Sequence, residues 1–234
     1  MKRKLTIVLC LFVLIIVCAA QFVVPQLATA ALVREIKNQV ATDDVQLNLS
    51  SVPNILMATG RIDNIAAVAR DAKMGEVYSA ELTLDGTGIK IDMPALLREN
   101  KLNLQSAEEL TLKAIFSEEN LRELLSRKVD KLSNVHVNIT PNRILMTAEV
   151  KIFGKPAEAE VEGIIVEDSG NLYFRMTHMN MKKALLGRLN IENFFGDILL
   201  IGSNKLPLNL KIDDVIMYDG HVTVTAKRAN NAKI

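Results

Sequence analysis

Residues 135–179 read VHVNITPNRILMTAEVKIFGKPAEAEVEGIIVEDSGNLYFRMTHM. Val135, Val137 and Ile139 alternate with polar neighbours, and Pro141-Asn142 turns the chain. Ile144, Met146, Ala148, Val150 and Ile152 then alternate again as far as the turn at Gly154-Lys155-Pro156. Residues 157–166 and 171–179 flank Asp168-Ser169-Gly170, a third turn signal. A period of two places every second side chain on one face, so each run is a half-buried strand. Turn residues between such runs predict consecutive antiparallel hairpins, a meander.

The flanks extend this pattern. Upstream, Ser117 and the acidic pair Glu118-Glu119 precede an apolar stripe at Leu121, Leu124, Leu125, Val129 and Leu132, which predicts a capped helix over 117–132. Glu123 and Arg127 form a favourable i, i+4 pair on it. Strands are expected at 45–50, 61–69, 76–84 and 102–115, with a turn at Asp85-Gly86-Thr87-Gly88. A short helix over 94–99 is expected to be capped by Asp92, and Pro53 to start another that Gly60 stops. Downstream, a helix is expected over 191–201, then strands at 208–216 and 221–226. The class is α+β: a long curved antiparallel β-sheet wrapped around one or two helices, preceded by an N-terminal transmembrane or signal helix. The strings at 45–50 and 135–140 are alike, as are 55–57 and 144–146, which raises both duplication and chance as explanations.

The N-terminus carries Lys2, Arg3 and Lys4 and then no charged residue until Arg34. Residues 5–24 are the densest apolar part, and a helix of ~20 residues rises ~30 Å, enough for the bilayer core. Pro25 is expected to end it. Two readings stand side by side: a signal peptide cut at Ala28-Thr29-Ala30, and an uncleaved anchor with its basic head inside. Either divides the chain into 1–30 as signal peptide or anchor and 31–234 as the body. Leu32, Ile36 and Val40 recur at i, i+4, i+8 just after that boundary, which predicts a separate short amphipathic helix there.

Composition narrows the functions. With 28 basic and 27 acidic residues, three of the basic ones in the N-terminal head, the body is slightly acidic. That argues against a nucleic-acid partner, which needs a basic excess to neutralise phosphates. Both cysteines, Cys10 and Cys18, lie before residue 31, so the body has no disulfide framework and no cysteine nucleophile. His136, His178 and His221 stand without the spacing of a metal site. No nucleophile elbow, phosphate loop or dinucleotide motif occurs, and adjacent Asp pairs on a strand point to opposite faces. The expectation is a protein that is not an enzyme and has no cofactor or metal.

What remains is apolar. The stretch Phe194-Phe195-Gly196-Asp197-Ile198-Leu199-Leu200-Ile201, read as a helix, is apolar almost all round. Such a helix is either buried in a core or in contact with lipid. Lys182, Lys183 and Arg188 just before it suit an anionic membrane surface.

Two blocks carry a family resemblance. Pro53-Asn54-Ile55-Leu56-Met57-Ala58-Thr59-Gly60 leads into a strand at Arg61-Ile62. The tail runs Leu206-Pro207-Leu208-Asn209-Leu210, then Val215-Ile216-Met217-Tyr218-Asp219-Gly220-His221-Val222-Thr223-Val224. With the leader, these blocks resemble the LmeA family of phospholipid-binding proteins over about residues 31–228. The resemblance implies a fold similar to the tubular lipid-binding superfamily and a phospholipid or other acyl lipid as ligand. The expected protein is exported, sits at the outer face of the cytoplasmic membrane, and serves cell-envelope biogenesis, with an envelope-biogenesis protein as a further partner. Leu121, Leu125, Phe194, Phe195, Ile198 and Leu199 are the candidate groove residues. Lys182, Lys183 and Arg188 are the candidates for the membrane surface. The alternative is an envelope scaffold with a filled core.

Overall fold

The computed structural model describes residues 2–74, 77–128, 132–152, 155–182 and 197–228, with the side chains of 2–10, 13–17 and a few strand ends left undescribed. It is mostly β, 57% strand, arranged as antiparallel sheet with a few helices. Packing divides the chain into two compact units: residues 1–69 with 83–110, and residues 70–82 with 111–234.

The first unit begins with α1 (Lys2–Val40), a single 39-residue helix with Pro25 inside it. The expected stop at Pro25 and the separate helix after residue 31 are therefore corrected: the helix runs through both points. A proline inside a helix removes the N–H that would bond the carbonyl four residues back, which here is Gln21. Asn54 Nδ2 supplies the missing donor to the Gln21 carbonyl at 3.2 Å. Downstream of Pro25, α1 packs on β1 (Val45–Ser50) and on a 3₁₀ segment (Asn54–Thr59), burying Ala28 and Leu32. Among the described residues, no helix is long and apolar enough to cross a membrane.

β1 pairs antiparallel with β2 (Arg61–Met74), Val45 opposite Ala69 through Ser50 opposite Asn64. Gly60 ends the 3₁₀ segment at φ 83°. A Cβ there would lie 2.0 Å from the Ile91 carbonyl oxygen, so only glycine fits this crossing. β3 (Val77–Ile91) continues through Asp85-Gly86-Thr87-Gly88, which corrects the expected turn. Gly86 serves close approach instead, and Gly88 takes a left-handed φ of 57°. A Cβ on Gly86 would meet Leu110 at 2.8 Å, and one on Gly88 the Glu108 side chain at 2.5 Å. The chain bends later, through α2 (Met93–Glu99) and β4 (Leu104–Ser106), and Asp92 caps α2 as expected, accepting from Ala95 N–H at 3.0 Å.

The second unit receives β5 (Glu109–Ser117) from Thr111 onward. α3 (Glu118–Lys128) follows, shorter than expected; Leu132 already belongs to β6 (Leu132–Ile139), and Val129 lies outside the described residues. Ser117 Oγ accepts from Asn120 N–H at 3.2 Å, which is the N-cap the sequence indicates. The meander is as read: β7 (Ile144–Ile152), β8 (Lys155–Asp168), β9 (Asn171–Lys182) and β10 (Asp197–Ile201) complete a five-stranded sheet in the order β10-β9-β8-β7-β6. Bulges interrupt its register at Ser133/His136, Glu162/Gly163 and Leu199/Ile201, and such irregularities bend and twist strands. β11 (Leu210–Tyr218) and β12 (His221–Arg228) form the closing hairpin, with β12 paired to β5 and β11 packed on β8 and β9.

Two further expectations change. Residues 197–201 are an edge strand, not the end of a helix, while 191–196 lie outside the described residues. The run Asp-Ile-Leu-Leu-Ile suits either state, and pairing with β9 decides it. Residues 55–57 are 3₁₀ and 144–146 are strand, so the second half of the internal echo has no structural counterpart.

Candidate functional site

The five-stranded sheet has one apolar face, produced by strict alternation on its central strand. On β8, Ala157, Ala159, Val161 and Ile165 are buried, while Glu158, Glu160 and Glu162 between them are half-buried on the opposite side. Register places Ala148 opposite Ala159, Met146 opposite Val161, Val150 opposite Ala157 and Ile144 opposite Gly163. The alanines offer only methyl groups, so the face is lowest at Ala148, Ala157 and Ala159. At its other end the Phe174 ring lies on Gly163, where an added Cβ would come within 2.5 Å of the ring. These residues are buried in the folded chain. An acyl chain that reaches them has to displace the groups that now cover them.

The edges of this sheet carry different chemistry. β10 is fastened to β9 by a bidentate pair: Arg175 donates through Nε to both Asp197 oxygens at 3.1 Å and through Nη2 at 2.7 Å. These hydrogen bonds, with the attached charge, hold the Asp197 carboxyl below its ordinary range and the Arg175 guanidinium above its own. Beside this clamp, Ile198 is half-buried and Leu199 is 46% exposed.

At the opposite edge α3 packs on β6. Between them is a cleft of about 520 Å³ lined by Arg122, Glu123, Ser126, Arg127, Ser133, Asn134, Val135 and His136. Arg122 bonds Glu119 and Arg127 bonds Glu123, both within α3, and Arg127 also sits 5.7 Å from the centre of the Tyr78 ring. A guanidinium has five N–H donors, so these pairings leave donors for an anionic oxygen. In the same region Leu121, Leu124, Leu125 and Val135 are buried. Polar groups thus lie in the cleft close to apolar packing, a combination that suits an amphiphile.

The sequence-expected groove residues fall in two places. Leu121 and Leu125 lie one turn apart on α3, 2% and 1% exposed, and are core. Ile198 and Leu199 are neighbours on β10, at the far end of the strand order, and alternate to opposite faces. The described residues do not bring these two groups together. Phe194, Phe195, Lys183 and Arg188 lie outside the described residues; Lys182 ends β9, opposite Glu158. Sequence reasoning missed the alanine track on β7 and β8, although the alternation Ala157-Glu158-Ala159-Glu160-Val161-Glu162 marks it plainly.

A family model described as LmeA-like phospholipid-binding matches residues 19–227, nearly the whole chain. Neither a curated protein nor a solved structure matches the chain.

Proposed function

The chain belongs to the LmeA-like phospholipid-binding family, and on that premise we propose that it is a non-catalytic module that holds an acyl lipid and carries or presents it. In this reading the sheet wraps a helix and the apolar face, lowest along Ala148, Ala157 and Ala159, takes the acyl chain. Ile198, paired with buried Phe174, extends that face, and the α3–β6 cleft takes the polar head. The observation that carries the reading is the family match over nearly the whole chain. Burial of acyl methylenes stabilises such a complex by ~0.8 kcal/mol each. The mechanism therefore needs no polar triad, only apolar surface and a covering layer that yields.

We also propose that the protein is exported and held at the outer face of the cytoplasmic membrane by residues 5–24, where it serves envelope biogenesis. The basic head and the uncharged run behind it support this orientation. Fractionation of cells after expression, with protease added from outside, tests it; protection of the body in intact spheroplasts rejects it.

The lipid reading is tested by purifying the full chain in detergent and extracting bound lipid for mass spectrometry. The control is residues 1–24 fused to an unrelated soluble domain, which reports lipid carried by the helix alone. Near-stoichiometric phospholipid above the control is expected. Lipid equal to the control favours a second reading, an envelope scaffold whose partner is a protein. The close burial of Leu121 and Leu125 is the observation in favour of that second reading.

A further inference from the structure

α1 has two faces downstream of Gln21, and they differ in what they touch. Gln21 gives its carbonyl to Asn54, and Ala28 and Leu32 are 3% and 1% exposed in the core of the first unit. Phe22, Val23 and Leu27 are 75%, 51% and 60% exposed. Val23 and Leu32 are nine residues apart, which is half a turn round a helix of 3.6 residues per turn. The outer side of α1 thus carries Phe22, Val23 and Leu27, with exposed Gln26 as the polar side chain among them, where its inner side is already committed to the body.

That outer side changes character along the helix. Leu11, Phe12, Phe22, Val23 and Leu27 are exposed and apolar, whereas Arg34, Asn38 and Gln39 are exposed and polar. A single helix that passes from apolar to polar exposure within two turns marks a boundary between lipid and water. The apolar side is continuous with residues 5–24, which carry no charge behind the basic head of Lys2, Arg3 and Lys4. Basic residues beyond the far end of an apolar helix and a polar face at the near end are what a bilayer requires of an anchor.

We propose that α1 is retained in the working protein as part of the first unit, and that its outer face at Phe22, Val23 and Leu27 lies in lipid, so that the unit is held rigidly against the bilayer surface instead of hanging from a tether. Removal of residues 1–30 at Ala28-Thr29-Ala30 would take away the Gln21 acceptor and buried Ala28, and would place a charged amino terminus on Ala31, directly beside buried Leu32. The family match also begins at residue 19, inside the helix and ahead of that site. The occupant is a phospholipid bilayer. This inference rests on the reading of the chain as membrane-bound, but not on the presence of a lipid in the body.

The chain has no tryptophan, so single replacements report cleanly. Full-length Val23→Trp, Leu27→Trp and Arg34→Trp proteins are reconstituted into phosphatidylcholine–phosphatidylglycerol vesicles with and without bromine-labelled acyl chains. The expected result is blue-shifted emission at 23 and 27, lost in large part to bromine, and unquenched red-shifted emission at 34. All three positions are exposed, so the fold tolerates the changes, and circular dichroism of each variant checks this. Unquenched emission at both 23 and 27 in the folded protein overturns the lipid contact; a second copy of the chain covering the face would give that result. Intact mass of the wild-type protein taken from membranes is expected to include residues 1–30, and a chain starting at Ala31 overturns retention. Co-purified phospholipid is measured separately, so failure of the groove reading and failure of this one are distinguishable.

Discussion

Asn54 Nδ2 stands 3.2 Å from the carbonyl oxygen of Gln21, thirty-three positions earlier in the chain. The contact fills the gap left by Pro25, the residue four places after Gln21, which has no N–H to donate. A side chain on one element thus completes the backbone of another, and the long helix continues through its proline.

Replacement of Asn54 by Ala is expected to destabilise the first unit by ~1–3 kcal/mol, the range for a partly buried acceptor left unpaired. Pro25→Ala restores an N–H at position 25 and should remove most of that penalty. Thermal unfolding of the four proteins of this double-mutant cycle in detergent measures the coupling. Independent, additive effects of the two changes would show that the Asn54 contact does not substitute for the lost helix bond.

Two glycines with nearly the same backbone make a matched pair. Gly60 and Gly220 have φ of 83° and 80°, but a Cβ on Gly60 strikes the Ile91 carbonyl, while one on Gly220 meets nothing within 4 Å. Gly220→Ala should cost only the left-handed backbone term, ~1–2 kcal/mol. Gly60→Ala should cost clearly more, because it also breaks the Ile91 N–H bond to the Gly60 carbonyl. Urea titration of both variants compares them, and equal losses would contradict the close crossing at Gly60.

The alanine track gives a direct test of the lipid face. Ala159→Leu enlarges a side chain on the buried face, whereas Glu158→Gln alters the opposite face of the same strand. The first is expected to cost ~1–3 kcal/mol by overpacking and to lower co-purified phospholipid. The second should leave lipid content unchanged. Lipid content unaltered in folded Ala159→Leu would remove this face from the proposed groove.

The clamp between Arg175 and Asp197 sets a pH dependence at β10. The Asp197 carboxyl is lowered by its hydrogen bonds from Arg175, so its contribution is fully present above the unfolded value of ~3.9 and is lost as pH falls through the lower folded value. Hydrogen-exchange protection of β10 amides, corrected for intrinsic rates, should therefore fall on acidification below that range. Asp197→Asn should show reduced protection at neutral pH and no such acid step.

The α3 leucines test whether that region is core. Leu125→Ala is expected to destabilise by ~2–5 kcal/mol, as for a leucine truncated in a filled interior. A small loss, accompanied by lower lipid content, would instead mark Leu125 as groove lining. Calorimetry and lipid analysis on the same preparation separate these outcomes.

Sequence alone determined the meander, α2 with its Asp92 cap and the Ser117 cap of α3, because period-two alternation, turn residues and capping oxygens act over a few neighbouring positions. The apolar N-terminal run and the family were legible for the same reason, since both rest on contiguous residues. Tertiary structure decided the rest. Pro25 stays within a helix because Asn54 reaches it from elsewhere. Gly86 lies in a strand where Leu110 and the Glu109 carbonyl, far along the chain, come too close for a side chain. Residues 197–201 are strand because β9 offers a free edge, where local composition permits helix equally well. The expected groove separated for a similar reason: Leu121 and Ile198 are both apolar, but the order of strands puts α3 beside β6 and β10 at the other end. Local preference fixes which residues are apolar and how they alternate; contacts between distant segments fix which backbone groups are satisfied, and therefore which elements continue, stop and meet.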